Sequence, residues 1–246
     1  MILDTAVILS GGLATRMRPF TEKVPKALLE VAGRPFINHQ LALLKRKGLR
    51  RVVLCVGYLG EQIEQHVGNQ FEGLFVEYSY DGPDLLGTGG AIRQARPLLG
   101  DLFWVLYGDS YLDFDYEAVA DYFGEQNQAG AGKAGLMTVF DNGNRWDTSN
   151  VVFEDDKLVR YDKTNLTPQM RYIDYGAAIL TSSALDRFPP GQAYDLSRLY
   201  TGLVEDGLMI GYEVKHRFYE IGSLNGLQQT QHYLASLNKE EEDDFQ

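Results

Sequence analysis

The chain has 246 residues, a formal net charge of −11, 44% hydrophobic residues and 23% charged residues. That length suits one large core or two small ones, and the acidic balance argues against nucleic acid as a general partner, because phosphate backbones call for basic surface. No apolar run is long enough to span a bilayer, and the single cysteine, Cys55, excludes an intramolecular disulfide and a cysteine-based zinc site.

MILDTAVILS lacks a basic n-region and an A-x-A-type cleavage site, so the expectation is no signal peptide and a reducing cytoplasm. TAVILS predicts the first strand, and RPFINHQLALLKRKG an amphipathic helix ending at Gly48. RVVLCVGY predicts a second strand, with Cys55 as a small core residue, and GEQIEQHVG a short helix after it. LFVEYSY is a third strand and TGGAIRQARPLLG a glycine-opened helix; FWVLYGDS is a fourth strand that stops at a polar turn, and DYEAVADYFGEQ is helical. This alternation predicts a mostly parallel sheet covered on both faces, with ligands at the carboxyl ends of its strands.

Beyond about Gly130 the pattern loosens. AGLMTVF, NVVFED, KLVRYDK, YGAAILT and MIGYEVK predict strands joined by turns. SLNGLQQTQHYLASLN closes the chain as a helix, its Leu224, Leu227, Tyr233 and Leu234 forming a packing stripe, and KEEEDDFQ reads as a solvated, frayed tail. The four histidines, His39, His66, His216 and His232, show no metal spacing; His39 and His66 fall in predicted helices, where packing or surface roles are the default.

Five stretches bear on the chemistry. After the first strand, GGLATRMRPFTEKVPK lacks both the Walker A ending and the dinucleotide fingerprint. A glycine turn at a strand's carboxyl end still converges backbone N–H groups on phosphate. Arg16 adds a bidentate guanidinium and Lys26 a compact charge. LLGTGGAIRQA places Gly87, Gly89 and Gly90 between a strand and a helix, where bare backbone can press against a planar base; the plainer reading is a helix start capped by Thr88. In YGDS, Asp109 ends a hydrophobic strand and suits Mg²⁺ held against a triphosphate, a turn or N-cap aspartate being the structural alternative. NVVFEDDKLVRYDK and YIDYGAAIL, each taken alone, read as strand-edge turns.

Together and in order, these stretches resemble the sugar-1-phosphate nucleotidyltransferase family, whose opening signature is G-G-x-G-T-R-[LM]-x-P-x-T…P-K-x-[ML]. Gly11, Gly12, Thr15, Arg16, Pro19, Thr21, Pro25 and Lys26 fall on that signature. Ala14 departs from it where the family has glycine, and alanine fits there without strain if φ is negative. RFYEIGSLNGLQQT resembles the family's W-x-D-I-G-T-P, with Glu220 in place of a metal-binding aspartate. The pattern is closest to the guanylyltransferases acting on D-glycero-D-manno-heptose 1-phosphate and mannose 1-phosphate.

The resemblance implies an α/β, three-layer Rossmann-like fold with a mostly parallel central sheet and sugar-binding strand insertions. It implies one domain over 1–238, with a nucleotide-binding part to about 130 and a sugar-binding part with the closing helix from about 131; 239–246 is the acidic tail. Arg16 and Lys26 take catalytic roles. Ser10, Gly11, Gly12, Ala14, Thr15, Gly87, Thr88 and Gly89 bind the nucleotide. Asn150, Asp162, Lys163, Asp174 and Gly176 bind the sugar phosphate, and Asp109 with Glu220 holds Mg²⁺. The implied reaction joins an NTP, GTP favoured, to a sugar 1-phosphate of heptose or mannose type, supplying nucleotide sugars for polysaccharide or lipopolysaccharide precursors. The partners are these two substrates, with no nucleic acid and no membrane, and a homodimer is compatible with the pattern. Three alternatives stay open. One is thymidylyl or uridylyl transfer to glucose 1-phosphate or an amino-sugar phosphate. Another is a non-catalytic nucleotide-sugar-binding module. The third is a glycosyltransferase, although Tyr111 stands where the second acid of a D-x-D would lie. No C-terminal left-handed β-helix is expected, which argues against a bifunctional acetyltransferase-uridylyltransferase.

Overall fold

Strand β1 (Thr5–Leu9) sets up the layers, because its side chains alternate between two buried faces. In the computed structural model, which describes residues 3–130 and 132–243, Ala6 and Ile8 join one core cluster while Val7 joins another on the opposite side of the sheet. Next come the hairpin β2 (Glu30–Val31) and β3 (Arg34–Pro35), α1 (Phe36–Arg46), β4 (Arg51–Val56), α2 (Gly60–Val67), β5 (Gln70–Phe71), β6 (Leu74–Tyr80) and α3 (Gly87–Ala95). The middle of the chain forms β7 (Leu102–Tyr107), β8 (Ser110–Tyr111), α4 (Tyr116–Gln128), β9 (Gly135–Asp141), β10 (Val151–Glu154), β11 (Lys157–Tyr161) and β12 (Tyr172–Thr181). The last elements are α5 (Leu196–Glu205), β13 (Met209–Glu213), β14 (Tyr219–Glu220) and α6 (Leu224–Asp243).

The main sheet has ten strands, with β7, β1, β4 and β6 side by side and parallel. Parallel pairing needs a crossover between strands, and the helices predicted after each strand supply it. Residues of α1, α2 and α4 pack on the face that carries Ala6 and Ile8, whereas residues of α3 and α5 pack on the face of Val7. The α/β, three-layer, Rossmann-like architecture expected from the sequence is therefore present. Beyond β7 the sheet turns antiparallel through β12, which also pairs with β9 and β10. The β9–β12 register shifts between Asp174 and Ala178, where Gly176 has φ +103°, a left-handed conformation that strongly favours glycine.

Two departures from the sequence reading have plain causes. Helix α5 lies where no element is predicted, yet its buried Leu196, Leu199, Tyr200 and Leu203 follow helical spacing. The Asp195 side chain caps it by accepting the Ser197 N–H at 2.8 Å. Helix α6 runs through Asp243, so five of the tail positions expected to fray are helical backbone. Residues 244–246 of that tail lie outside the described residues. Among the described residues no helix is long and apolar enough to cross a membrane.

Candidate active site

The loop after β1 returns to the sheet at Lys26, whose Nζ donates to Asp109 Oδ2 at 2.6 Å. Both side chains are about three-quarters buried, so a cation from the first loop and a carboxylate from the end of β7 form one unit. Two cavities meet here, and both are lined by Tyr107 and Asp109. The smaller, about 240 Å³, is lined by Ser10, Gly11, Gly12, Lys26, Gly87 and Thr88. The larger, about 480 Å³, is lined by Arg16, Asn150, Lys163, Asp174, Gly176 and Glu220. Five of the eight residues expected at the nucleotide thus line one cavity, and four of the five expected at the sugar line the other.

Ala14 takes φ +48° and ψ +41°, so the negative φ under which alanine fits without strain is not what the loop adopts. Its carbonyl accepts the Thr21 hydroxyl at 2.8 Å and the Met17 N–H at 3.0 Å, which hold the turn in this conformation. Ala14→Gly is expected to stabilise the fold by about 0.5 kcal/mol: relief of ~1–2 kcal/mol of left-handed strain is partly offset by ~0.4–1 kcal/mol of added chain entropy. Thermal denaturation checks this, and a lowered Tm would count against strain at Ala14. Ala14, Thr15, Arg16 and Lys26 line a further small recess together with Gly222. Arg16 is exposed and, among the described residues, makes no ion pair.

The glycine-rich segment differs from its sequence reading. Thr88 does not cap α3; it lies in the first turn, and its hydroxyl accepts the Leu196 N–H at 2.8 Å. The N–H groups of Gly89 and Gly90 donate to the Tyr194 carbonyl, and a Cβ at Gly90 would come within 2.5 Å of the Gln192 carbonyl oxygen. These two glycines accommodate the chain leading into α5, while Gly87 and Thr88 line the cavity. Asp81, which sequence reasoning passed over, also lines it; Oδ2 accepts the Leu86 N–H at 3.1 Å, and burial pushes its carboxyl pKa up. Its signal was an acid directly after a buried strand. Cys55 lies at the cavity's edge, with its thiol pushed up by burial, in keeping with a core role.

On the sugar side, Asn150 Oδ1 accepts the Asp174 N–H at 2.9 Å and the Asp174 carboxylate accepts the Gly176 N–H at 3.1 Å. Lys163 Nζ lies 3.7 Å from Asp174 Oδ2 and 3.3 Å from the Tyr107 hydroxyl. Asp162 does not line the cavity: its Oδ1 accepts the N–H groups of Thr164 and Asn165, each at 2.8 Å. These bonds hold its carboxyl well below the usual carboxylate range. It shapes the turn that carries Lys163, and of the two acids expected at the sugar Asp174 is the one that lines the cavity. Residues missed from sequence are Trp146, Asp147 and Thr148, which line the same cavity from the turn before β10.

Glu220 arrives from β14, paired with Ser110 of β8. Its carboxylate accepts the N–H of Gly222 and, at 3.1 Å, that of Ser223, and it also accepts the Ser223 hydroxyl. A Cβ at Gly222 would lie 3.0 Å from both Asp109 Oδ2 and Glu220 Oε2, so the two oxygens are at most twice that distance apart. Two carboxylates facing one glycine, beside cavities that also carry Arg16, Lys26 and Lys163, are an oxygen donor set that fits Mg²⁺, which needs one or two carboxylates together with phosphate oxygens.

Residues 5–167, more than half of the chain, match the family described as Nucleotidyl transferase. The N-acetylmuramate alpha-1-phosphate uridylyltransferase of Neisseria meningitidis is 43% identical over 115 residues, 46% of this chain and 50% of that protein. The catalytic subunit beta of mannose-1-phosphate guanylyltransferase from Xenopus tropicalis is 26% identical over 221 residues, 88% of this chain and 61% of that protein. The chain thus spans about half to three-fifths of the length of these relatives. The crystal structure of HddC from Yersinia pseudotuberculosis complexed with GMP-PN superposes with a TM-score of 0.74 at 20% identity, covering 94% of this chain and all of that one. With the match over residues 5–167 and its loop, carboxylates and adjoining cavities in place, the chain belongs to the nucleotidyl transferase family.

Proposed function

We propose that the protein is a sugar-1-phosphate nucleotidyltransferase that joins a nucleoside triphosphate to a sugar 1-phosphate, releasing pyrophosphate. The observation that carries this reading is the pair of cavities meeting at Tyr107 and Asp109, one lined by the phosphate loop and the other by Lys163 and Asp174. A phosphate monoester has a second pKa of about 6, so its oxygen is largely anionic at neutral pH and needs no general base. That oxygen attacks the α-phosphorus in line, the bond from the α-phosphorus to the bridging oxygen breaks, and the electron pair leaves with pyrophosphate. Bringing two polyanions together is the obstacle. Arg16 stabilises the leaving pyrophosphate, Lys26 the α-phosphate, and Lys163 the sugar phosphate. Asp109 and Glu220 would hold Mg²⁺, which when bound supplies charge neutralisation on the phosphates.

Within this reading GTP is the favoured triphosphate, and the sugar is of heptose or mannose type. The half-buried Asp81 supports guanine. A guanine edge offers the N1–H and N2–H donors to a carboxylate, whereas the single N–H of uracil or thymine is flanked by carbonyls that repel one. Asp81→Asn is expected to lower kcat/KM for GTP about 10–100-fold while leaving UTP within a few-fold, the worth of a hydrogen bond to a charged group. An unchanged GTP/UTP ratio would remove Asp81 from base choice. The whole assignment is tested by pyrophosphate release from four triphosphates set against several sugar 1-phosphates. No release from any pair would leave a non-catalytic binding module as the better reading.

A further inference from the structure

Trp146 is 43% exposed and Leu166 47% exposed, and both face the larger cavity with Ile173 and Phe218. An indole left half in water within a polar cavity calls for an occupant. Its placement is built. The buried Asn142 accepts the backbone N–H of Trp146 at 3.2 Å and donates to the Asp147 carbonyl at 2.6 Å and the Ser149 hydroxyl at 3.0 Å. The ring is also held from one side: the Arg217 guanidinium carbon lies 3.5 Å from the Trp146 centroid and 4.6 Å from that of Tyr219. Tyr219 in turn stacks on Tyr233 of α6 at 3.8 Å and 7°. Arg217 donates to Gln229, and its Nε is buried with no hydrogen-bond partner among the described residues, so stacking between the two rings is its main engagement.

We propose that Trp146, locked by Arg217, is a stacking platform for the apolar face of a neutral sugar ring in the substrate, and so determines which sugars are accepted. The proposal rests on the transferase reading for the sugar's phosphate but not for its ring. A pyranose presents C–H groups on one face, and a flat aromatic surface buries them at little entropic cost. Neutrality follows from the lining. The acids Asp147 and Asp174 flank the platform, while Lys163 already neighbours Asp174 and Arg16 is assigned to phosphate. With Arg16 engaged by phosphate and Lys163 beside Asp174, a carboxylate on the sugar would find no further cation among the lining residues. The residue is a specificity element, and Arg217 acts through it as a positioning residue.

The chain has two tryptophans, and Trp104 is fully buried, so a fluorescence change caused by a sugar reports Trp146. Adding mannose, glucose or N-acetylglucosamine 1-phosphate is expected to change the emission of the wild-type protein, and Trp146→Phe to abolish that response. No response to any of the three overturns the platform, whether or not the protein turns over. A response without pyrophosphate release sinks the transferase reading and leaves the platform standing. In turnover, Trp146→Ala should raise KM for the neutral sugar phosphate about tenfold, with KM for the triphosphate within twofold and Trp146→Phe restoring most of the loss. Arg217→Gln should raise the same KM in the wild type but add nothing to Trp146→Ala, as expected for coupled neighbours. Additive effects would free Arg217 from this role, and equal kcat/KM for N-acetylmuramate 1-phosphate, which bears a carboxylate, would overturn the neutral-sugar assignment.

Discussion

Lys26→Ala is expected to lower kcat about 10²–10³-fold, the range seen when one preorganised donor to a developing charge is removed. The side chain lines the smaller cavity and is bonded to Asp109, which lines both, so the loss has two parts. The α-phosphate loses a cation that costs no reorganisation during reaction, and the Asp109 carboxylate loses its partner. Lys26→Arg separates the parts, because it keeps the charge but spreads it over a larger planar fork. It should recover binding of the triphosphate more fully than kcat. Initial rates of pyrophosphate release, with circular dichroism as a folding control, make the measurement. A kcat/KM near that of the wild type in Lys26→Ala would take this lysine out of the mechanism.

Asp109→Asn carries the second large effect. The substitution preserves shape and one acceptor oxygen but removes a negative charge from the end of β7. If Asp109 is a ligand, half-maximal rate should require at least about 10–100-fold more Mg²⁺, since even partners one layer removed from a metal are worth that much. Lys26 would also lose its ion pair, so its orientation is part of the change, and the magnesium titration is the more diagnostic readout. An unchanged titration with a lowered kcat would assign Asp109 to holding Lys26. Glu220 behaves differently on geometry alone: its carboxylate accepts N–H groups at the start of α6, so Glu220→Ala should cost stability as well as metal affinity.

The parallel half of the fold was legible because each strand there is a short apolar run followed by a helical period, from TAVILS to DYEAVADYFGEQ. The motifs pointed to the loop after β1, Asp109 and Lys163, which line the two cavities, because those residue types at strand ends have few other reasons to be there. What was not legible depends on contacts between distant segments. The pairing of Gly89 and Gly90 with the chain at Tyr194 joins positions about a hundred residues apart, so the glycines alone suggest a ligand where the structure puts protein. Asp162 and Asp174 look alike as acids beside a strand, and only the turn that ties Asp162 to Thr164 and Asn165 decides which one faces the cavity. Trp146 sits in a turn of polar residues that carries no periodic signal. Helix α5 was readable in principle, since Asp195 and the spacing of Leu196, Leu199, Tyr200 and Leu203 mark it.

Strand β12 belongs to both sides of the site at once. Its first residues pair with β9 and β10, whose connecting segment lines the larger cavity, and its last pair with β7, just beyond whose end lies Asp109. Separating the two sides would break the β12 pairings with β7 and with β9, which lie on both sides of the register shift at Gly176. In the proposed function, substrate capture falls chiefly to two surface segments, the loop bearing Arg16 and the turn bearing Trp146. A lineage could exchange one sugar for another by rewriting that turn, leaving the reacting atoms on an unaltered chassis.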